Sequence, residues 1–146
     1  MAMRKRFAPF VLVCLLGLLV IAPAAGASGY PVPKPKGGTK VTKKPTKNVG
    51  KKIQHTAASK LGKGFKITVF LPKAGKMAVF IKHNGARLGS GVAKGSKKGN
   101  KKLQFNFNPV GKNFLKEGAN KKVTIRTIFT PKHGKTITSS ATVTVG

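Results

Sequence analysis

From residue 65 onward, apolar and polar side chains alternate. Phe65, Ile67, Val69 and Leu71 occupy every second position, with Lys66, Thr68 and Phe70 between them. A period of two sends successive side chains to opposite faces, so this run predicts a strand. Pro72-Lys73-Ala74-Gly75 interrupts it, after which Met77, Val79 and Ile81 alternate with Lys76, Ala78 and Lys82. His83-Asn84-Gly85 follows, and Asn-Gly between two apolar runs is a strong short-range signal for a hairpin. A weaker strand is expected over 86–92, then a Gly/Lys loop over 93–101, then a strand on Leu103, Phe105 and Phe107. Val123, Ile125 and Phe129 share one face of a further strand, and Ile137, Ala141, Val143 and Val145 share a face of another. Pro131-Lys132-His133-Gly134 turns the chain between them. The stretch 108–120 carries Phe114-Leu115 and has room for one short turn of helix; no other segment shows a helical period. Six strands, or seven with one near 57–61, predict an all-β domain over 59–146, built as an antiparallel β-sandwich.

The pattern changes upstream. Arg4-Lys5-Arg6 precedes an apolar run from Phe10 to Ala22, and Ala25-Gly26-Ala27 supplies the small residues that a signal peptidase requires. Residues 1–27 therefore read as a signal peptide cut between Ala27 and Ser28, which sends the remainder out of the cytoplasm. Left uncut, the same run would serve as an N-terminal membrane anchor. Cys14 lies within this run, so the chain beyond it has no thiol and no disulfide. Residues 28–58 hold Pro31, Pro33, Pro35 and Pro45 among eight lysines, with few large apolar side chains. Such a composition cannot bury enough apolar surface to offset its ordering entropy, and predicts a disordered Lys/Pro-rich linker.

The stretches "FKITVFLPKAGKMAVFIKHNGARLGSG", "KKLQFNF" and "KKVTIRTIFTPKHGKTITSSATVTV" resemble the small immunoglobulin-like or fibronectin type III-like modules of secreted bacterial proteins. The shared features are a short break after the first strand, a Gly-containing hairpin, and a long final hairpin ending in alternating Thr and Val. The resemblance implies a sandwich fold and a binding or structural role rather than a reaction. It departs from the better-known subfamilies: there is no tryptophan, no cysteine pair, and the one tyrosine, Tyr30, lies in the linker.

Charge narrows the chemistry. Thirty lysines and arginines stand against one acid, Glu117, for a formal net charge of +29. A single carboxylate cannot supply the paired acid and base of a glycosidase, nor the oxygen set of a calcium or magnesium site. His55, His83 and His133 are expected far apart, with His83 and His133 at opposite ends of the domain, so neither a metal nor a cofactor is expected. A Glu117–His83 pair at one end is the one catalytic geometry left open, against the plainer reading of a surface histidine. No enzyme activity and no small-molecule substrate are expected.

If the turns at 72–75, 93–101 and 131–135 gather at one end, they bring together Lys73, Lys76, Lys97, Lys98, Lys101, Lys102, Lys132 and Lys135. These eight are the candidate polyanion-binding residues. Arginine is scarce: beyond residue 27 only Arg87 and Arg126 occur. Lysine is a hydrated point charge without arginine's planar fork, so recognition by charge density rather than by sequence is expected. The expected function is a secreted, non-enzymatic module adhering to an anionic cell-wall polymer, acidic polysaccharide or anionic lipid surface of the envelope or matrix. Two alternatives compete: an exported nucleic-acid-binding protein without sequence preference, and a cationic antimicrobial or toxin-like protein.

Overall fold

The computed structural model describes residues 31–118 and 120–146. The signal-peptide pattern at 1–27, with its cleavage point at Ala27 and Ser28, lies outside the described residues. Six strands form a single antiparallel sheet: β1 (Phe65–Leu71), β2 (Gly75–His83), β3 (Ala86–Gly95), β4 (Gly99–Phe107), β5 (Lys122–Pro131) and β6 (Ile137–Thr144). Their order across the sheet is β1-β4-β3-β2-β5-β6. Three helices accompany them: α1 (Lys40–Gln54), α2 (Ala58–Leu61) and α3 (Pro109–Lys116).

The architecture is mostly antiparallel β, as the alternation predicts. The strands nevertheless join one curled sheet instead of the two facing sheets expected, and the second layer is a helix. Inward-facing Val69, Leu71, Met77, Val79, Ile81, Leu103, Phe105, Ile125 and Phe129 are almost fully buried. They line the concave side, where Phe65 stacks on Phe105 at 5.0 Å and Phe107 meets Phe105 edge-on at 5.3 Å. Helix α1 lies in this hollow against β5 and β6 and also reaches β1, at the opposite margin of the sheet.

The curl has a cause in β3. Its core-facing positions are Gly89, Gly91 and Ala93, set beside the large side chains of β4. A Cβ on Gly91 would sit 2.3 Å from Leu103 Cδ2, and one on Gly89 would sit 2.7 Å from the Phe105 ring. Hydrogen in place of a side chain lets Leu103 and Phe105 fold over β3, so the sheet bends around its own core. At the β2–β3 connection, Asn84 and Gly85 both adopt positive φ (46° and 82°), the conformation of a two-residue hairpin turn of the Asn-Gly type.

The segment expected to be a disordered linker differs most from expectation. Residues 40–54 form α1, with Val49 and Ile53 buried among core side chains and Val41 packed against them. These positions, with Pro45, recur every fourth residue and make one face, while Lys40, Lys43, Lys44, Lys47, Lys51 and Lys52 point to solvent. Thr46 ties the helix down. Its Oγ1 donates to the Thr42 carbonyl at 2.8 Å and shares hydrogen bonds with the hydroxyls of Thr127 (2.8 Å) on β5 and Ser139 (2.7 Å) on β6. Tertiary burial overrides a composition that looked too polar to order. Upstream of α1, Lys36 bridges to Ser140 on β6. The seventh strand expected near 57–61 is instead α2, which buries Leu61. The short helix expected in 108–120 is α3. Asn108 caps it, accepting from Gly111 N at 2.7 Å, and Pro109 follows where a missing N–H costs nothing.

Candidate polyanion-binding surface

Strand register determines which turns meet. Leu71 lies opposite Gly99, Gly75 opposite Gly95, and Gly75 also opposite Pro131. The connections after β1, β3 and β5 therefore share one end of the sheet. Lys132 N donates to the Ala74 carbonyl at 3.0 Å, joining two of these turns directly. Between them is a shallow depression of about 600 Å³ bordered by Lys76, Lys94 and Lys132.

Of the eight candidate lysines, Lys73 sits on the β1–β2 turn, Lys97 and Lys98 on the β3–β4 turn, and Lys132 and Lys135 on the β5–β6 turn, all exposed. Lys76 starts β2 on the convex face. Lys101 and Lys102, adjacent on β4, face opposite sides of the sheet: Lys102 is exposed opposite Thr68, whereas Lys101 is half-buried on the concave side opposite Val69. Seven of the eight thus present ammonium groups outward at one end or its convex shoulder, and Lys101 stands at the mouth of the hollow. Lys98 Nζ lies 5.9 Å from the centroid of Phe70, an outward ring that is 44% exposed.

Two groups of cations escaped the sequence reading. One is the outer face of α1, which places six lysines along about 22 Å of helix. Their signal was the four-residue recurrence of Val41, Pro45, Val49 and Ile53, diluted by Pro45 and Gly50. The other is the pair Arg87 and Arg126: Arg126 lies opposite Phe80 in the β2–β5 ladder, and Arg87, registered against Lys82 on β2, places its guanidinium over the Phe80 ring.

Glu117 resolves simply. It follows α3, is exposed, and pairs with Lys121, the only ion pair among the described residues. The Lys121 ammonium, first through its hydrogen bond and then through its charge, holds the Glu117 carboxyl below the usual glutamate range, with a smaller contribution from His83. His83 is otherwise engaged: its Nδ1 donates to the Lys122 carbonyl at 2.7 Å and its ring packs on Phe114 with centroids 4.7 Å apart. A carbonyl can only accept, so the contact fixes the proton on Nδ1. Among the described residues no three His, Cys, Asp or Glu side chains converge. What the surface offers chemically is a high density of positive charge. No family model, curated protein or solved structure matches the chain.

Proposed function

We propose that this protein is a secreted, non-enzymatic module that adheres to anionic polymers of the cell envelope or matrix through lysine charge density. One observation carries the reading: the sole carboxylate side chain is already matched by Lys121, leaving the other cations without an internal acidic partner. Solubility alone does not require eliminating acids, because surfaces of mixed sign serve it well. An uncompensated field attracts polyanions and opposes compaction, and a protein carrying it gains from a partner that neutralises it. Export rests on the pattern of residues 1–27. The likeness to immunoglobulin-like and fibronectin type III-like modules rests on strand patterning, and adhesion does not depend on it.

The competing readings have less support. Nucleic-acid binding without sequence preference calls for stacking platforms, and the outward rings Phe70 and Phe80 each lie beneath a cation. A membrane-acting toxin calls for a free amphipathic segment. Helix α1 is amphipathic, but its apolar face is committed to the core. No helix among the described residues is long and apolar enough to cross a membrane.

The test is retention of the full chain on cell-wall polymer, anionic vesicles and DNA across a salt series. Binding should be tight at low salt and fall log-linearly. If six phosphates of duplex DNA were neutralised, the slope of log K against log salt would be about −5. Failure to bind any of the three at low salt would overturn the proposal.

A further inference from the structure

The convex face of the sheet is not uniformly basic. Along β2 its outward residues are Lys76, Ala78, Phe80 and Lys82. Across the ladder, Ala78 lies opposite Val92 on β3 and Ile128 on β5, forming an apolar row three strands wide in which the small, buried Ala78 (7% exposed) is the floor between exposed Val92 and half-exposed Ile128. Val92 is 42% exposed although nothing in its own strand requires an apolar residue on the solvent side. Cations bound this island along the strand direction. Lys76 and Lys94 pair across β2–β3 on one side, and Lys82 and Arg87 pair on the other, about 20 Å further along β2.

The arginines converge at the second boundary. Arg126 lies directly opposite Phe80 in the β2–β5 ladder, and the Arg87 guanidinium carbon sits 5.0 Å from the Phe80 ring centroid. Together with Lys82, Gly85 and Ile128 they line a depression of about 330 Å³. The Arg87 backbone is itself held, its carbonyl accepting from Asn108 Nδ2 at 2.7 Å. In a chain that uses lysine almost everywhere else, the only two arginines beyond residue 27 flank one aromatic ring. Lysine would supply the same charge. What arginine adds is a planar fork that grips two oxygens of one oxyanion at once, and a stack on Phe80 that orients it beforehand.

We infer that this face is a subsite for an acidic polysaccharide, with a uronate carboxylate gripped by Arg87 and Arg126 and the C–H face of the sugar chain lying on the Val92–Ala78–Ile128 row. The inference rests on the adhesion reading and narrows it to one class of polymer. The apolar row selects among polyanions: a polyphosphate chain has no carbon face to cover it. A nucleobase would need an open ring, and the Phe80 face is occupied by Arg87. A pyranose ring offers axial C–H groups that fit flat aliphatic surface, while its carboxylates fall on the cations at either side.

The full chain is titrated with polygalacturonate, inorganic polyphosphate and single-stranded DNA at equal charge and about 0.15 M salt, where unspecific attraction is screened. Polygalacturonate should bind most tightly. The double variant R87K/R126K keeps the charge and should bind it about tenfold more weakly, with polyphosphate binding unchanged. Val92→Ser, which alters no charge, should weaken polygalacturonate alone. Circular dichroism of each variant establishes that the sheet is retained. Equal affinity for all three polymers, untouched by the variants, would overturn the subsite and leave adhesion standing. Preference for polyphosphate or DNA that disappears in R87K/R126K would overturn the uronate assignment. Binding to none of the three at any salt would overturn both readings.

Discussion

Gly91 shows how little a single position needs in order to shape this molecule. It lies opposite Phe105 in the β3–β4 ladder, where an added methyl would fall 2.3 Å from Leu103 Cδ2 and 2.7 Å from the Gln104 carbonyl oxygen. Gly91→Ala should therefore lower stability by about 1–3 kcal/mol, the usual cost of overpacking, as a reduced thermal midpoint. Glu117 is a case of the opposite kind, prominent in the sequence and modest in effect. Because the Lys121 hydrogen bond and charge depress its folded-state pKa, the stability it confers is present above the unfolded value and lost as pH falls through the folded one. With no other acidic side chain to protonate, the thermal midpoint should stay nearly flat between about pH 5 and pH 2, apart from a small decline. Glu117→Gln should remove that decline; a steep fall persisting in the variant would contradict the account. At this scale the sequence was only partly legible. Asn84-Gly85 announced its turn, because only such residues accept two positive φ angles in succession. The inward glycines of β3 could not be read, because a missing side chain gives no parity.

At the scale of elements, α1 is where sequence and structure diverge, and the physics of the divergence is testable. Strands β1, β2, β4, β5 and β6 were visible because apolar residues recur at alternate positions along each. Helix α1 was hidden by Pro45, Gly50 and two threonines on its buried face, and by lysines everywhere else. Its lysines stand at i, i+4 separations (Lys40 and Lys44, Lys43 and Lys47, Lys47 and Lys51), each a repulsion of about 0.2–0.5 kcal/mol in an isolated helix. The helix is thus held by its contacts with the sheet. Ile53 is 1% exposed, and Ile53→Ala should cost about 2–5 kcal/mol. The same change should abolish hydrogen-exchange protection across residues 43–54 before that of β2 and β5. If those amides exchange freely in the unaltered protein, α1 is not docked. The turn-end lysines were legible, because consecutive antiparallel connections fall at alternating ends. The convex island was not: its rows exist only once β2 is known to lie between β3 and β5 in a defined register.

For the whole molecule the governing quantity is a formal charge of +29 on 146 residues. Self-repulsion of that size opposes folding and is screened by salt. Raising sodium chloride from about 0.02 M to 0.5 M, a range over which the screening length shrinks several-fold, should raise the thermal midpoint. An acidic polymer that binds the folded surface should raise it further at the same ionic strength, by mass action. A midpoint indifferent to salt would show that the charges are too dispersed to matter. The position of α1 has one more consequence. It is made before any strand, yet the strands it packs against most, β5 and β6, are the last to be made. Apart from its contact with β1, its hydrophobic stripe has no resting place until the final hairpin is made, and contacts between distant parts of a chain form slowly. Synthesis order alone therefore makes the docking of α1 a late event, completed only when the last hairpin is in place.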